Sequence, residues 1–176
     1  VNIESADGSP VITPEILGVV ERFQADVSKK FPIVGKTVSV NDYLKKMNQE
    51  MNGGEAAFYR LPETREKAAE YLLLYSGDID NMISRNRDRL RIHLSIQRSE
   101  MDNLRRLRDY ANQFLARELG NGNLRVVTSG YMDMMVEANI MVLKGQLSSL
   151  IWSLALVTLL IYLIFRNVRL TLVGLV

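Results

Sequence analysis

His93 is the single histidine among 176 residues, and there is no cysteine. Thiol nucleophiles, disulfides and thiolate-held metals are therefore excluded, and one imidazole without sulfur or carboxylate companions does not make a metal site. His93 also falls on the polar phase of an alternating stretch, which assigns it to a wet surface. Ser95, Ser99, Ser129, Ser148 and Ser149 sit in no G-x-S-x-G context, and no phosphate-cradling P-loop occurs. The sequence therefore predicts neither an enzyme nor a bound cofactor or metal.

Two other groups have chemistry to offer. Thioethers bind soft metals such as Cu(I), and Met132, Met134, Met135 and Met141 lie close together in the chain. Their spacings do not gather them on one face, so adaptable packing against a helix or an oily molecule is the stronger reading. Arg85, Arg87, Arg89 and Arg91 alternate and could meet an anionic headgroup. With Asp88, Glu100 and Asp102 near in sequence, a solvated and locally paired face is favoured. Glu137 reads equally as facing a partner or water.

What must position these residues is dominated by Gly145 to Phe165, a stretch without a charge, bracketed by Lys144 and Arg166. Such a length at about 1.5 Å per residue spans the roughly 30 Å hydrocarbon core of a bilayer, so a transmembrane helix is expected. Trp152 and Tyr162 lie toward its ends, and Ser148, Ser149, Ser153 and Thr158 can satisfy themselves along a helix. Arg166 and Arg169 follow the span, whereas only Lys144 closely precedes it. The positive-inside rule then puts residues 1–144 on the extracytoplasmic side. Residues 1–144 are formally neutral, because the net charge of +2 comes from those two arginines. A nucleic-acid footprint is thereby excluded. The abrupt opening VNIESADGSP leads us to expect a piece of a longer protein.

The remaining elements follow from pattern. Val1 to Glu4 reads as the end of a strand. Thr13, Pro14 and Glu15 open a helix over about 14–30, with Ile16, Val19, Val20, Phe23 and Val27 on its apolar face. Ile33 to Val40 reads as a strand, with Val38 and Val40 on one face. Asn41 to Met51 reads as a helix capped by Asn41, with Tyr43, Leu44, Met47 and Met51 inward, and Asn52-Gly53-Gly54 stops it. Pro62 to about Tyr75 forms another helix and 76–78 a turn, while Ile79 to Ser84 is ambiguous. Arg89 to Gln97 alternates as a half-buried strand. Ser99 and Asp102 suggest a capping box for a helix over about 100–119, with Leu104, Leu107, Ala111, Phe114 and Leu115 as its stripe. A turn at 121–123 and a strand at 124–128 follow, and from Tyr131 the chain turns helical into the span.

Setting aside a helical insertion at about 41–84, the order is strand, helix, strand, strand, helix, strand. That is the order of the ferredoxin-like split βαβ fold of the α+β class. The expected organisation is a domain over 1–130, a connecting helix over 131–144 and the span at 145–165. A cytoplasmic turn at 166–169 and the start of a further span at 170–176 complete it.

Four stretches resemble a known family: TVSVNDYLKKMNQEMNGG (37–54), FYRLPETREKAAEYLLLYSGD (58–78), LRVVTSGYMDMM (124–135) and the run from Lys144 to Val176. Together they resemble the extracytoplasmic porter region and following helix of the resistance-nodulation-division superfamily, in its MMPL-like lipid-exporter branch. The MNGG and YLLLYS wording leans toward the second of that family's two repeats. The resemblance implies a multi-pass inner-membrane exporter, driven by proton entry, of hydrophobic or amphipathic molecules including lipids. It also implies a second repeat as partner, with homo-oligomers conceivable, and no nucleic acid. The family's acidic relay residues lie on a later helix, so none is carried over and no substrate-binding residue is assigned. The alternative expectation is the sensor domain of a single-span receptor. Against it, the sequence turns apolar again at Leu170 instead of continuing into polar heptads.

Overall fold

A computed structural model describes residues 1–74, 79–97, 100–120 and 123–165. The chain divides into one compact unit, Val1–Asp133, and a second from Met134 onward. The first is α+β: β1 (Asn2–Ser5), α1 (Pro14–Lys30), β2 (Val34–Val38), α2 (Val40–Met51), α3 (Arg65–Leu74), β3 (Arg89–Arg91), β4 (His93–Ile96), α4 (Met101–Leu119) and β5 (Leu124–Val127). A single 3₁₀ turn at Ala56–Phe58 joins α2 to α3. The last element, α5, runs from Tyr131 to Phe165 without a proline.

The strands form two antiparallel sheets, one in the order β3-β1-β5 and one pairing β2 with β4. The expected single strand at 89–97 is thus divided at Ile92, and its two halves pair with different neighbours. The ladder bridges the division. Ile92 N–H donates to the Val1 carbonyl at 2.7 Å, and the Val1 amine donates back at 2.8 Å. The ambiguous segment at 79–84 resolves as a turn in which Ile83 makes an isolated antiparallel bridge to Leu90.

Alternation sets the layers. Ile3 and Leu90 belong to the core cluster with Leu17, Val20, Phe23 and Val27 of α1 and Leu107, Ala111 and Leu115 of α4, and the half-buried Leu94, Ile96, Leu124 and Val126 pack against it. The opposite strand phase carries Asn2, Glu4, Arg89, Arg91, His93 and Arg125, and all of these except Asn2 are at least partly exposed.

Caps decide several boundaries. Thr13 Oγ1 accepts from Ile16 N–H at 3.4 Å with Pro14 at the first helical position, as expected for α1. Ile12 precedes that cap and Leu17 follows it in the first turns. Both are buried in the same cluster, the arrangement of a hydrophobic staple. For α2 the cap is Ser39, not Asn41. The Ser39 side chain accepts from Asn41 N–H at 3.1 Å, and Asp42 accepts from Ser39 N–H at 2.8 Å. This reciprocal box ends β2 at Val38 and moves Val40 into the helix.

The inward face of α2 also differs from expectation: Val40, Asn41, Leu44 and Asn48 are buried, while Met51 is 53% exposed. Asn41 donates to the Leu17 carbonyl at 2.8 Å. Thr64 caps α3, accepting from Lys67 N–H at 3.3 Å, so that helix begins at Arg65 and not at Pro62. Glu100 occupies the cap position of α4 without a side-chain cap bond, and the expected cap Ser99 lies outside the described residues. So do Tyr75, the turn at 76–78, residues 121 and 122, and everything expected for 166–176.

Candidate functional site

The apolar helix is the feature with the plainest functional meaning. Asp133–Ile164, 32 residues, is long and apolar enough to cross a membrane, and none of its most apolar window is buried. Leu150, Ile151, Trp152, Leu154 and Leu156 are each more than half exposed. An exposed run of this size in water would carry a large transfer cost, at about 25 cal/mol per Å² of apolar surface, which lipid removes. At about 1.5 Å per residue the run is about 48 Å long, more than the roughly 30 Å of a hydrocarbon core, so it extends beyond the 145–165 span expected from charge alone. Thr158 donates to the Leu154 carbonyl one turn back at 2.7 Å, satisfying its hydroxyl within the helix.

Met134 and Met141 are 64% and 68% exposed, Met135 is half-buried, and the Met132 side chain lies outside the described residues. Among the described residues there is no group of three or more histidine, cysteine or carboxylate side chains that could hold a metal. Glu137 is exposed on α5.

The arginine array is only partly a strand face. Arg89 and Arg91 lie on β3, whereas Arg85 and Arg87 belong to the preceding turn, with Arg87 at φ 59°. The pairing partners are not those expected from sequence. Arg89 meets Glu4 at 3.1 Å across the β1–β3 ladder, and Arg91 Nε donates to Asn2 Oδ1 at 2.9 Å. Asp88 instead accepts from the Ser84 hydroxyl. The register also sets Arg125 opposite Glu4 on β5, so one carboxylate lies between two arginines. Lys36, opposite Ser95, is an exposed cation on the separate β2–β4 sheet.

His93 is exposed, as its alternation predicts, and its Nε2 lies 3.3 Å from the Asn81 carbonyl. It lines a cavity of about 470 Å³ together with Arg91, Thr128, Ser129 and Tyr131. Ser129 Oγ accepts from Asn2 Nδ2 at 3.2 Å. Ser95 is exposed on β4, and Ser148 and Ser149 are exposed on α5.

Two polar arrangements had no clear sequence signal. At the junction before α5, Asp133 accepts from Thr128 Oγ1 at 3.2 Å and lies 3.8 Å from Arg108 of α4. At the other end of β1, Asp7 accepts from Ser5 Oγ at 2.6 Å, Ser9 N–H at 3.0 Å and Asn123 Nδ2 at 2.7 Å. These donors, Ser5 foremost, hold its carboxyl well below the usual carboxylate range. Glu15 is also lowered, chiefly by its own backbone N–H at the start of α1 and then by Thr13.

A second, larger cleft of about 810 Å³ opens between α1 and α4. Phe114, expected in the buried stripe, is half-buried and lines this cleft with Tyr110. Tyr110 donates to Asp26, and Lys30 stands 4.4 Å above the Tyr110 ring.

Comparison with protein-family models, with curated proteins and with solved structures finds no match.

Proposed function

We propose that the chain is the extracytoplasmic domain and adjoining membrane helix of a proton-driven exporter of hydrophobic or amphipathic molecules, lipids among them, of the resistance-nodulation-division type. The observation that carries the reading is the exposed apolar helix at the end of a polar α+β unit. The strand order supports it. If β3 and β4 are two halves of one strand divided at Ile92, the combined order is β5-β1-β3/β4-β2 with every neighbour antiparallel. With α1 and α4 as the two crossovers and α2 to α3 as an insertion, this is the ferredoxin-like split βαβ topology.

On this reading residues 1–144 face the extracytoplasmic side of a cytoplasmic membrane, α5 crosses it, and Arg166 and Arg169 stay inside. The chain would be one part of a multi-pass protein with a second repeat, in which the proton-carrying acids lie on another helix. The uncharged stretch 145–165 has no carboxylate for that task. Because α5 holds no proline and Gly145 as its single glycine, it is suited to transmit a rigid-body movement along its axis.

The test is flux. Inverted membrane vesicles bearing the whole native membrane protein should accumulate an amphipathic dye when a proton gradient is imposed, and release it on adding an uncoupler. A receptor with a sensor domain would give no gradient-linked flux, and that result would replace this reading with the alternative.

A further inference from the structure

The furrow between α1 and α4 combines cationic groups with an aromatic wall. On α1 it is lined by Arg22, Asp26, Lys29 and Lys30, and on α4 by Tyr110, Phe114, Arg117 and Glu118. Four cations thus face two carboxylates, and both carboxylates already have partners. Asp26 accepts from the Tyr110 hydroxyl, while Glu118 meets Arg22 at 3.0 Å and Arg117 at 3.5 Å. Lys30 rests over the Tyr110 ring, and Lys29 has no carboxylate partner among the described residues. The excess positive charge therefore stands beside the rings, in a unit that is formally neutral over 1–144.

Two rings line the furrow: Tyr110 lies 5.9 Å from Phe114, centroid to centroid, and Phe114 in turn packs on the buried Phe23. Lys29 and Lys30 in the last turn of α1 and Arg117 in the last turn of α4 also suit the negative ends of their helices, and Arg22 pairs with Glu118, which accounts for the cations but not for the rings set beside them. The volume falls in the range of roughly 300–1,000 Å³ typical of small-ligand sites.

We propose that this furrow binds an amphipathic anion: a carboxylate or phosphate held by Lys29 and Lys30, on an aliphatic or aromatic body laid along Tyr110 and Phe114. The open sheet face is the natural contrast, since Arg89, Arg91 and Arg125 supply charge there without an aromatic wall. The inference goes beyond the proposed function and holds for an exporter and a receptor alike.

The experiment is calorimetric titration of octyl phosphate into the full chain in phosphatidylcholine nanodiscs, with empty nanodiscs subtracted and octylammonium as the probe of opposite charge. Saturable binding of one octyl phosphate per chain is expected, at least about tenfold tighter than octylammonium. The exposed double substitution Lys29→Gln/Lys30→Gln should weaken it by about tenfold while leaving the circular dichroism spectrum unchanged. Arg89→Gln/Arg125→Gln on the sheet face should change it by less than about twofold. Any of four results overturns the proposal: no saturable heat, equal binding of octylammonium, equal loss in the sheet-face variant, or a concentration-dependent dimer that buries the furrow and takes up no octyl phosphate.

Discussion

Asn48 holds the helical block of residues 40–74 together, and replacing it should loosen that block selectively. Its side chain is buried and makes four hydrogen bonds, the full capacity of a carboxamide. Nδ2 donates to the Phe58 carbonyl at 2.9 Å and the Arg60 carbonyl at 3.1 Å, while Oδ1 accepts from Tyr71 at 3.1 Å and from Asn52 at 3.3 Å. Alanine removes about three bonds that link α2 to the loop and to α3, each contributing about 1 kcal/mol net, and leaves partners poorly satisfied. We expect a loss of about 2–4 kcal/mol. Aspartate keeps the shape but, ionised, has no proton to donate to either carbonyl. Burial and those two carbonyls would raise the pKa of the new carboxyl in the folded state, so its penalty is greatest at neutral pH and falls as acid protonates it. Hydrogen–deuterium exchange of peptides within 40–74 reads this directly, because 2–4 kcal/mol is about a thirty- to several-hundred-fold rise in opening. Exchange at the wild-type rate in Asn48→Ala, or a pH-independent effect in Asn48→Asp, would refute the reasoning.

Three further outcomes follow from the same structure. Leu107→Ala, at a fully buried position of α4, should cost about 2–5 kcal/mol and lower the thermal midpoint of the 1–133 unit as followed by circular dichroism. Asp7 has a folded pKa below its unfolded value of roughly 3.9, so it stabilises the loop joining Ser5, Ser9 and Asn123 above that pH and loses the effect as pH falls through the folded value. Asp7→Asn should therefore flatten the acid limb of the stability profile, an effect absent if the carboxylate has no role there. Gly145→Pro removes a backbone donor inside α5 and costs roughly 3 kcal/mol of local helix stability, so under the proposed exporter function it should impair transport while leaving the fold of residues 1–130 intact. Unchanged export in that variant would rule out transmission along the helix.

Much of the architecture was legible because single residues carry strong local physics. Thr13-Pro14 could hardly be anything but a helix start, the alternation from Leu90 to Ile96 revealed which side of the sheet is wet, and the uncharged run after Lys144 announced itself by length. The sequence misled where polar side chains act in the interior. Asn41 and Asn48 occupy the inward phase of α2, and a reading that assigned that phase to apolar residues put Tyr43 and Met51 there instead, whereas Met47 does pack against the core. Ser39 outcompeted Asn41 as a cap because Asp42 could complete the box, a cooperative choice that position alone does not disclose. The division at Ile92 depends on which strands flank each half, and pairing between distant segments leaves no local mark. For the candidate site, the exposed His93 was foreseen, but the α1–α4 furrow was not. Its residues are spaced like ordinary solvent-facing positions on two helices far apart in the chain, and only packing brings Tyr110 to Asp26, 84 residues away.

The central claim, a domain held outside a membrane by α5, is open to one direct measurement. The chain has no native cysteine, so Ser95→Cys on the exposed face of β4 and Asn167→Cys beyond the span can each be the only thiol. Intact cells expressing each variant are treated with a membrane-impermeant maleimide, before and after permeabilisation. The account predicts that the thiol at position 95 reacts in intact cells and the one at position 167 only after permeabilisation. Labelling of both from outside, or of neither, would mean that α5 does not cross the membrane, and the reverse pattern would place the domain in the cytoplasm.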